Sequence, residues 1–153
     1  MRVAVGADHA GYRYKTALAE QLREMGHEVL DLGTDSDAPV DYPDFGRAVA
    51  EAVAAERADR GILVCGSAVG VTVTANKVPG VRAATCHDSY SARQGVEHDD
   101  MNVLCLGERV IGIELAREIV RSFLGARFSG AERHRRRLAK LREVERRYMT
   151  GDG

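Results

Sequence analysis

Cys65 ends an apolar run, Gly61-Ile62-Leu63-Val64, and is followed by a loop of small residues, Gly66-Ser67-Ala68-Val69-Gly70. The run reads as a buried parallel strand, and Val71 to Lys77 beyond the loop reads as a helix. In a doubly wound sheet, ligands bind outside the carboxyl ends of the strands, where a loop turns into a helix. A thiol at that point, beside loop amides near a helix N-terminus, is placed to act as a nucleophile or base next to an anion. The amides of Gly66, Ser67, Ala68, Val69 and Gly70 can also hold an oxyanion. A second loop of this kind follows Val3-Ala4-Val5-Gly6, where the chain continues Ala7-Asp8-His9-Ala10-Gly11. Two strand ends carrying Asp, His, Cys and Gly suggest a catalytic cleft more than a plain binding surface.

Other chemistry-bearing residues are spread along the chain. His98-Asp99-Asp100 precedes a fifth strand and reads as a polar loop. Arg109 lies just beyond that strand, in Gly107-Glu108-Arg109. Near the end, Arg133-His134-Arg135-Arg136-Arg137 puts Arg133 and Arg137 four apart on one helical face. Two guanidinium groups so placed can grip a phosphate through several hydrogen bonds. Plainer readings stand beside these: Asp8 as a helix cap, Cys65 as a small buried hydrophobe, the arginines as a solvated basic face. Gly6 to Gly11 lacks the spacing of a dinucleotide fingerprint, and no P-loop is present.

The elements that position these groups alternate. Strands are predicted at Arg2 to Gly6, His27 to Leu32, Gly61 to Cys65, Val81 to Thr85 and Asn102 to Leu106. Between them fall helices at Gly11 to Met25, from Pro43 through Val53, and at Ser89 to Val96. Gly112 to Leu124 and about Gly130 to Tyr148 complete the set. Leu18 and Leu22, Val49 and Val53, and Ile119 and Phe123 fall at helical spacing on inward faces. Alternating β and α elements imply a parallel sheet covered on both faces. The expected architecture is α/β: a single three-layer αβα, Rossmann-like domain over 1–153, with a five-stranded parallel sheet and a basic C-terminal helix at 130–148.

The 153 residues are 44% apolar and 29% charged, ordinary for a globular domain. No apolar run approaches the roughly 20 residues of a membrane span, and no signal-peptide pattern opens the chain. Three cysteines, Cys65, Cys86 and Cys105, all fall in or beside predicted strands. An odd count so placed argues against a disulfide framework and for the reducing cytoplasm. No zinc-ligand spacing occurs, and no metal is expected. Residues 126–153 hold nine Lys/Arg against four Asp/Glu, while the first 125 carry a net −6. The basic charge is therefore concentrated at one end, where it suits a local anion.

Together these segments resemble the ribose-5-phosphate isomerase B family, which includes allose-6-phosphate and galactose-6-phosphate isomerases. The matching stretches are Gly6 to Gly11, Asp41-Tyr42-Pro43, Cys65 to Gly70, Ala75-Asn76-Lys77, His98 to Val103, Gly107-Glu108-Arg109 and Gly130 to Arg137. They occur in the family's order over nearly the whole chain, and Cys65 marks the branch that uses a thiol base.

The resemblance implies aldose–ketose isomerisation of a sugar phosphate through an enediolate, with no cofactor. Carried over by position, Cys65 moves the proton between neighbouring carbons. His98 and Asp8, helped by Ser67, open the sugar ring. The Gly66, Ala68, Val69 and Gly70 amides stabilise the enediolate. His9, Arg109, Arg133 and Arg137 hold the phosphate, and Tyr42 and Asn76 line the pocket. The resemblance also implies a homodimer, or a dimer of dimers, with shared sites. The basic helix would then reach across to the partner's phosphate.

Two residues depart from the family pattern. Asp99 stands where an Asn is expected; an ionised Asp only accepts hydrogen bonds and repels developing negative charge. Ala68 replaces a Gly, so its loop is expected to hold a conformation open to a Cβ. The substrate expected is ribose 5-phosphate, with a tetrose or hexose phosphate as the nearest alternative. A non-catalytic phosphosugar binder is a second alternative. A nucleic-acid binder would rest on the basic tail alone, against a body of −6.

Overall fold

Both faces of the first strand, β1 (Arg2–Ala7), are covered: Val3, Val5 and Ala7 enter one apolar cluster and Ala4 enters another. A strand buried on both faces belongs inside a three-layer sandwich. The computed structural model describes residues 1–149. After β1 come α1 (Tyr12–Glu24), β2 (Glu28–Asp31), α2 (Tyr42–Ala54), β3 (Arg60–Cys65), α3 (Val69–Ala75) and β4 (Ala83–Thr85). Then follow α4 (Ser89–Asp99), β5 (Val103–Gly107), α5 (Ile113–Gly125) and α6 (Glu132–Met149). The five strands form one parallel sheet in the order β2-β1-β3-β5-β4. The α/β class, the parallel sheet and the C-terminal helix are as the sequence predicts. Residues 150–153 of the expected 1–153 domain lie outside the described residues.

Each face has its own core. Leu18, Leu22, Ala92, Val96, Ile119 and Phe123 of α1, α4 and α5 pack with Ile62, Val64, Leu104 and Leu106. On the other face, Val49, Ala52, Val53, Val71 and Ala75 of α2 and α3 pack with Leu63, Val103 and Cys105. Burying one such Val, Leu or Phe side chain stabilises by about 1.5–3 kcal/mol. Arg60, at the start of β3, donates to the carbonyls of Phe123 and Ala126 and so satisfies the end of α5.

From β1 the chain moves outward to β2, then crosses back to place β3 on the other side of β1. The carboxyl ends of β1 and β3 thus flank a topological switch point, where α/β sheets bind ligands. The start of α1 is pressed against β3 there. A Cβ on Gly11 would lie 2.3 Å from the Val64 carbonyl oxygen, so only glycine fits.

Most boundaries shift by a residue or two from expectation, and three of the shifts bear on the site and its surroundings. Helix α3 begins at Val69 rather than Val71, which puts Val69 and Gly70 in its first turn. Strand β4 begins at Ala83 rather than Val81, because the Arg82 amide donates instead to Asn102 Oδ1 at 2.7 Å. Helix α4 runs past Val96 to Asp99, so His98 and Asp99 are helical and not part of a loop. Asp100, left-handed at φ 50, ends that helix; Asp is among the few residues that visit this region readily.

Candidate active site

The sulfur of Cys65 accepts a hydrogen bond from the Ala68 amide at 3.2 Å. Strand β3 delivers the thiol to the carboxyl end of the sheet, and the turn into α3 folds the amide back onto it. Ser67 Oγ accepts from the Val69 amide at 3.2 Å, which leaves the hydroxyl proton free to donate. Ala68 itself sits at φ 75, ψ −12 with its side chain fully buried. The expected conformation open to a Cβ is therefore corrected: the backbone is left-handed, which strains any L side chain by roughly 1–2 kcal/mol.

Opposite this loop, Asp8 is 8% exposed, and its Oδ1 accepts from the Ala10 and Gly11 amides at 2.9 and 3.1 Å. One carboxylate oxygen thus shapes the turn into α1. His9 Nδ1 accepts from the Val40 amide at 3.2 Å, so a neutral His9 carries its proton on Nε2. Tyr42 opens α2 and lies against Gly70, where a Cβ would come within 2.7 Å of the ring. Arg109 arrives from the turn after β5: the Glu108 and Arg109 amides donate to the Cys65 and Gly66 carbonyls at 2.9 and 3.1 Å.

These groups enclose a cleft of about 360 Å³ lined by Asp8, His9, Ala10, Tyr42, Cys65, Gly66, Ser67, Gly70, Arg109 and Val110. Eight of the sequence-derived candidates meet there, Asp8, His9, Tyr42, Cys65, Gly66, Ser67, Gly70 and Arg109. Ala10 and Val110 were not anticipated. They are apolar neighbours of the motif residues and carry no chemical signal of their own. Ala68 and Val69 are not among the lining residues: the first is buried beneath the loop, the second 60% exposed on α3.

The remaining candidates lie elsewhere in the chain. Asn76, expected in the pocket, instead clamps β4, its amide exchanging two hydrogen bonds of 2.8 Å with the Ala83 backbone. Asp99 and Asn76 border a second, more apolar cavity of about 630 Å³ between β4, α4 and α6. His98 stacks on His134, ring centroids 4.1 Å apart. Arg133 and Arg137 flank His134 on α6, and both are exposed. Ser129 Oγ and His134 Nδ1 share a hydrogen bond of 2.6 Å, and the Ser129 amide donates to the Glu97 carbonyl. The α4–α6 corner is thus a second cluster of imidazoles and guanidiniums. His134 was missed in the sequence because it sits inside a run of arginines. Its i, i+4 relation to Leu138, also buried, was the signal that could have found it.

Three cysteines share the neighbourhood, but only Cys65 faces this cleft. Burial pushes the Cys86 thiol up to about 11 and the Cys105 thiol up to about 12. Among the described residues, no three His, Cys, Asp or Glu side chains gather where they could hold a metal ion. No helix among them is long and apolar enough to cross a membrane.

A thiol, a carboxylate, an imidazole and a guanidinium at the switch point of a parallel sheet define an α/β protein built to act on a small anionic ligand. Comparison with known proteins makes this specific. Residues 3–141 match the family model described as Ribose/Galactose Isomerase. Ribose-5-phosphate isomerase B of Escherichia coli (strain K12) is 44% identical over 146 residues, covering 95% of this chain and 97% of that protein. D-erythrulose-4-phosphate isomerase 2 of Mycolicibacterium smegmatis is 44% identical over 131 residues, 84% of this chain and 86% of its own. The solved structure of Clostridium thermocellum ribose-5-phosphate isomerase B superposes with a TM-score of 0.94 at 50% identity, covering 97% of this chain and 99% of that one. The chain belongs to the ribose/galactose isomerase family, as its motifs imply, and is an aldose–ketose isomerase.

Proposed function

We propose that this enzyme interconverts ribose 5-phosphate and ribulose 5-phosphate through an enediolate, with Cys65 as the base. The observation that carries this reading is the Cys65 sulfur, held 3.2 Å from the Ala68 amide in a cleft shared with Asp8, Ser67 and Arg109. The amide N–H points at the sulfur, and the thiolate is the form of a cysteine that removes a proton. The thiolate takes the C2 proton of the open-chain aldose, and the electron pair moves to the C1 carbonyl oxygen to give the enediolate. A proton passes from the C2 to the C1 hydroxyl oxygen, and Cys65 returns its proton to C1, leaving the ketose. Of the loop at 66–70, the amides of the cleft-lining Gly66, Ser67 and Gly70 oppose the enediolate charge, while those of Ala68 and Val69 are held by Cys65 and Ser67. Asp8, Ser67 and His98 move protons during ring opening, while His9 and Arg109 hold the phosphate with Arg133 and Arg137. Binding the phosphate away from the reacting carbons supplies orientation.

His98, Asp99, Arg133 and Arg137 are absent from the Cys65 cleft of their own chain. This supports a homodimer, or a dimer of dimers, in which the α4–α6 corner of one copy completes the cleft of another. The exposed Leu141, Val144 and Tyr148 on α6 suit coverage by that copy. The whole chain then works as one isomerase domain with a sugar phosphate as its ligand, rather than a nucleic acid or a membrane. Three free cysteines suit the cytoplasm, and the proposed ribose 5-phosphate reaction suits a place in the pentose phosphate pathway.

A tetrose phosphate is the second reading, favoured by the M. smegmatis relative's equal identity. Initial rates on ribose 5-phosphate, erythrulose 4-phosphate, allose 6-phosphate and galactose 6-phosphate test both. The ribose ester is expected to give the highest kcat/KM, and a higher value on another sugar overturns the assignment. Cys65→Ala should abolish exchange of the substrate α-proton with solvent. Mixing Cys65→Ala with Arg137→Ala subunits tests the shared site. About a quarter of wild-type activity should return after exchange, because half the dimers are hybrids with one intact site each.

A further inference from the structure

His87 lies between β4 and α4, and no step above uses it. The pairing of β4 with β5 stops at Thr85 and Cys105, and the Cys86 amide still donates to the Cys105 carbonyl at 3.3 Å. One residue later the chain turns away toward α4. The Gly107 amide, at the buried end of β5, is thereby deprived of a β4 carbonyl. It donates instead to Nε2 of His87 at 2.9 Å, so a neutral imidazole carries its proton on Nδ1.

Gly107 also sits where the Cys65 cleft is built. It pairs with Cys65 across the sheet, and a Cβ on it would lie 2.9 Å from the Ser67 carbonyl carbon. The next two amides bond to the Cys65 and Gly66 carbonyls and deliver Arg109 to the cleft. We propose that His87 is a positioning residue for Arg109: by holding the Gly107 amide it fixes the turn at 107–109 and so sets affinity for the substrate phosphate. This rests on the reading of Arg109 as a phosphate ligand. Leaving the Gly107 amide without an acceptor penalises the native turn, and the turn relaxes at the expense of the guanidinium position.

Steady-state kinetics on the best sugar phosphate of the panel test this with His87→Leu, which cannot accept, and His87→Gln, whose Oε1 can. His87→Leu should raise KM three- to tenfold with kcat within twofold, and His87→Gln should restore KM. In an Arg109→Ala background His87→Leu should raise KM no further. An unchanged KM in His87→Leu overturns the proposal, as does an equal rise with Arg109 absent. If leucine prevents folding, His87→Asn, whose acceptor ends one bond short, takes its place. If the protein turns over none of the panel, the isomerase reading fails on its own. The affinity for inorganic phosphate, measured by calorimetry on the same variants, then decides the coupling by the same criteria.

Discussion

The imidazole of His134 stacks on that of His98 at 26° between planes, joining the last turn of α4 to the first turns of α6. One ring comes from a helix end and the other from within a basic helix. The pair fixes where His98, Arg133 and Arg137 stand relative to one another. His134 is 3% exposed and is held below the usual imidazole range, first by desolvation and then by the charges of His98, Arg133 and Arg137; Asp99 opposes this.

That lowering gives stability a pH dependence. The unfolded imidazole takes up its proton near pH 6.5, while the folded one resists it to lower pH. The contribution of His134 is thus complete above pH 6.5 and is lost as pH falls through that value toward the lowered one. Urea denaturation between pH 7.5 and 5 should show a smaller acid loss for His134→Asn than for wild type. Equal slopes would remove His134 from the acid response.

Ala68→Gly should change stability by less than about 1 kcal/mol. Relief of left-handed strain, roughly 1–2 kcal/mol, is offset by about 0.8 for the lost methyl burial and about 0.4–1 for unfolded-chain entropy. Ala68→Val has no such offset: a β-branched side chain at φ 75 should destabilise by more than about 2 kcal/mol and disturb the Cys65 amide bond. Denaturant midpoints of the two variants check this, and a valine variant as stable as wild type would refute it.

Alkylation of the native protein by iodoacetamide near neutral pH should modify Cys65 and inactivate the enzyme. Cys86 and Cys105, raised by burial to about 11 and about 12, are expected to stay unlabelled until urea is added. Peptide mapping by mass reads the outcome, and early labelling of either buried thiol would contradict it.

Asp99→Asn should change kcat more than KM on sugar phosphates. The effect expected is removal of negative charge from beside an enediolate that exists only during turnover. Identical kinetics on the whole panel would show that Asp99 faces away from the substrate.

Much of this molecule was legible in the order of its residues. The β–α alternation, the inward faces of α1, α2 and α5, and the two strand-end loops follow from periodicity and small-residue turns. The end of α4 was not legible, because His98 and Asp99 are polar and read as loop. What keeps them helical is packing on α6, far away in the chain. Likewise Asn76 is expected in the pocket by resemblance alone, and nothing local reveals that its amide is used by the Ala83 backbone. Ala68 shows the same limit: a left-handed backbone at a non-glycine residue is imposed by the surrounding loop, not by local preference.

Gly11 sets a different kind of constraint. Its contact with the Val64 carbonyl is backbone against backbone, and a backbone has no alternative rotamers into which it can relax. The gap between the Asp8 turn and Cys65 therefore does not depend on how the side chains of either core are arranged. Substitutions such as Leu22→Val or Ile119→Val can accumulate as lineages diverge, each eroding thermal tolerance while the catalytic spacing stays in register. A core side chain can be shortened at a cost in stability alone, whereas a side chain added at Gly11 would have to push α1 and β3 apart.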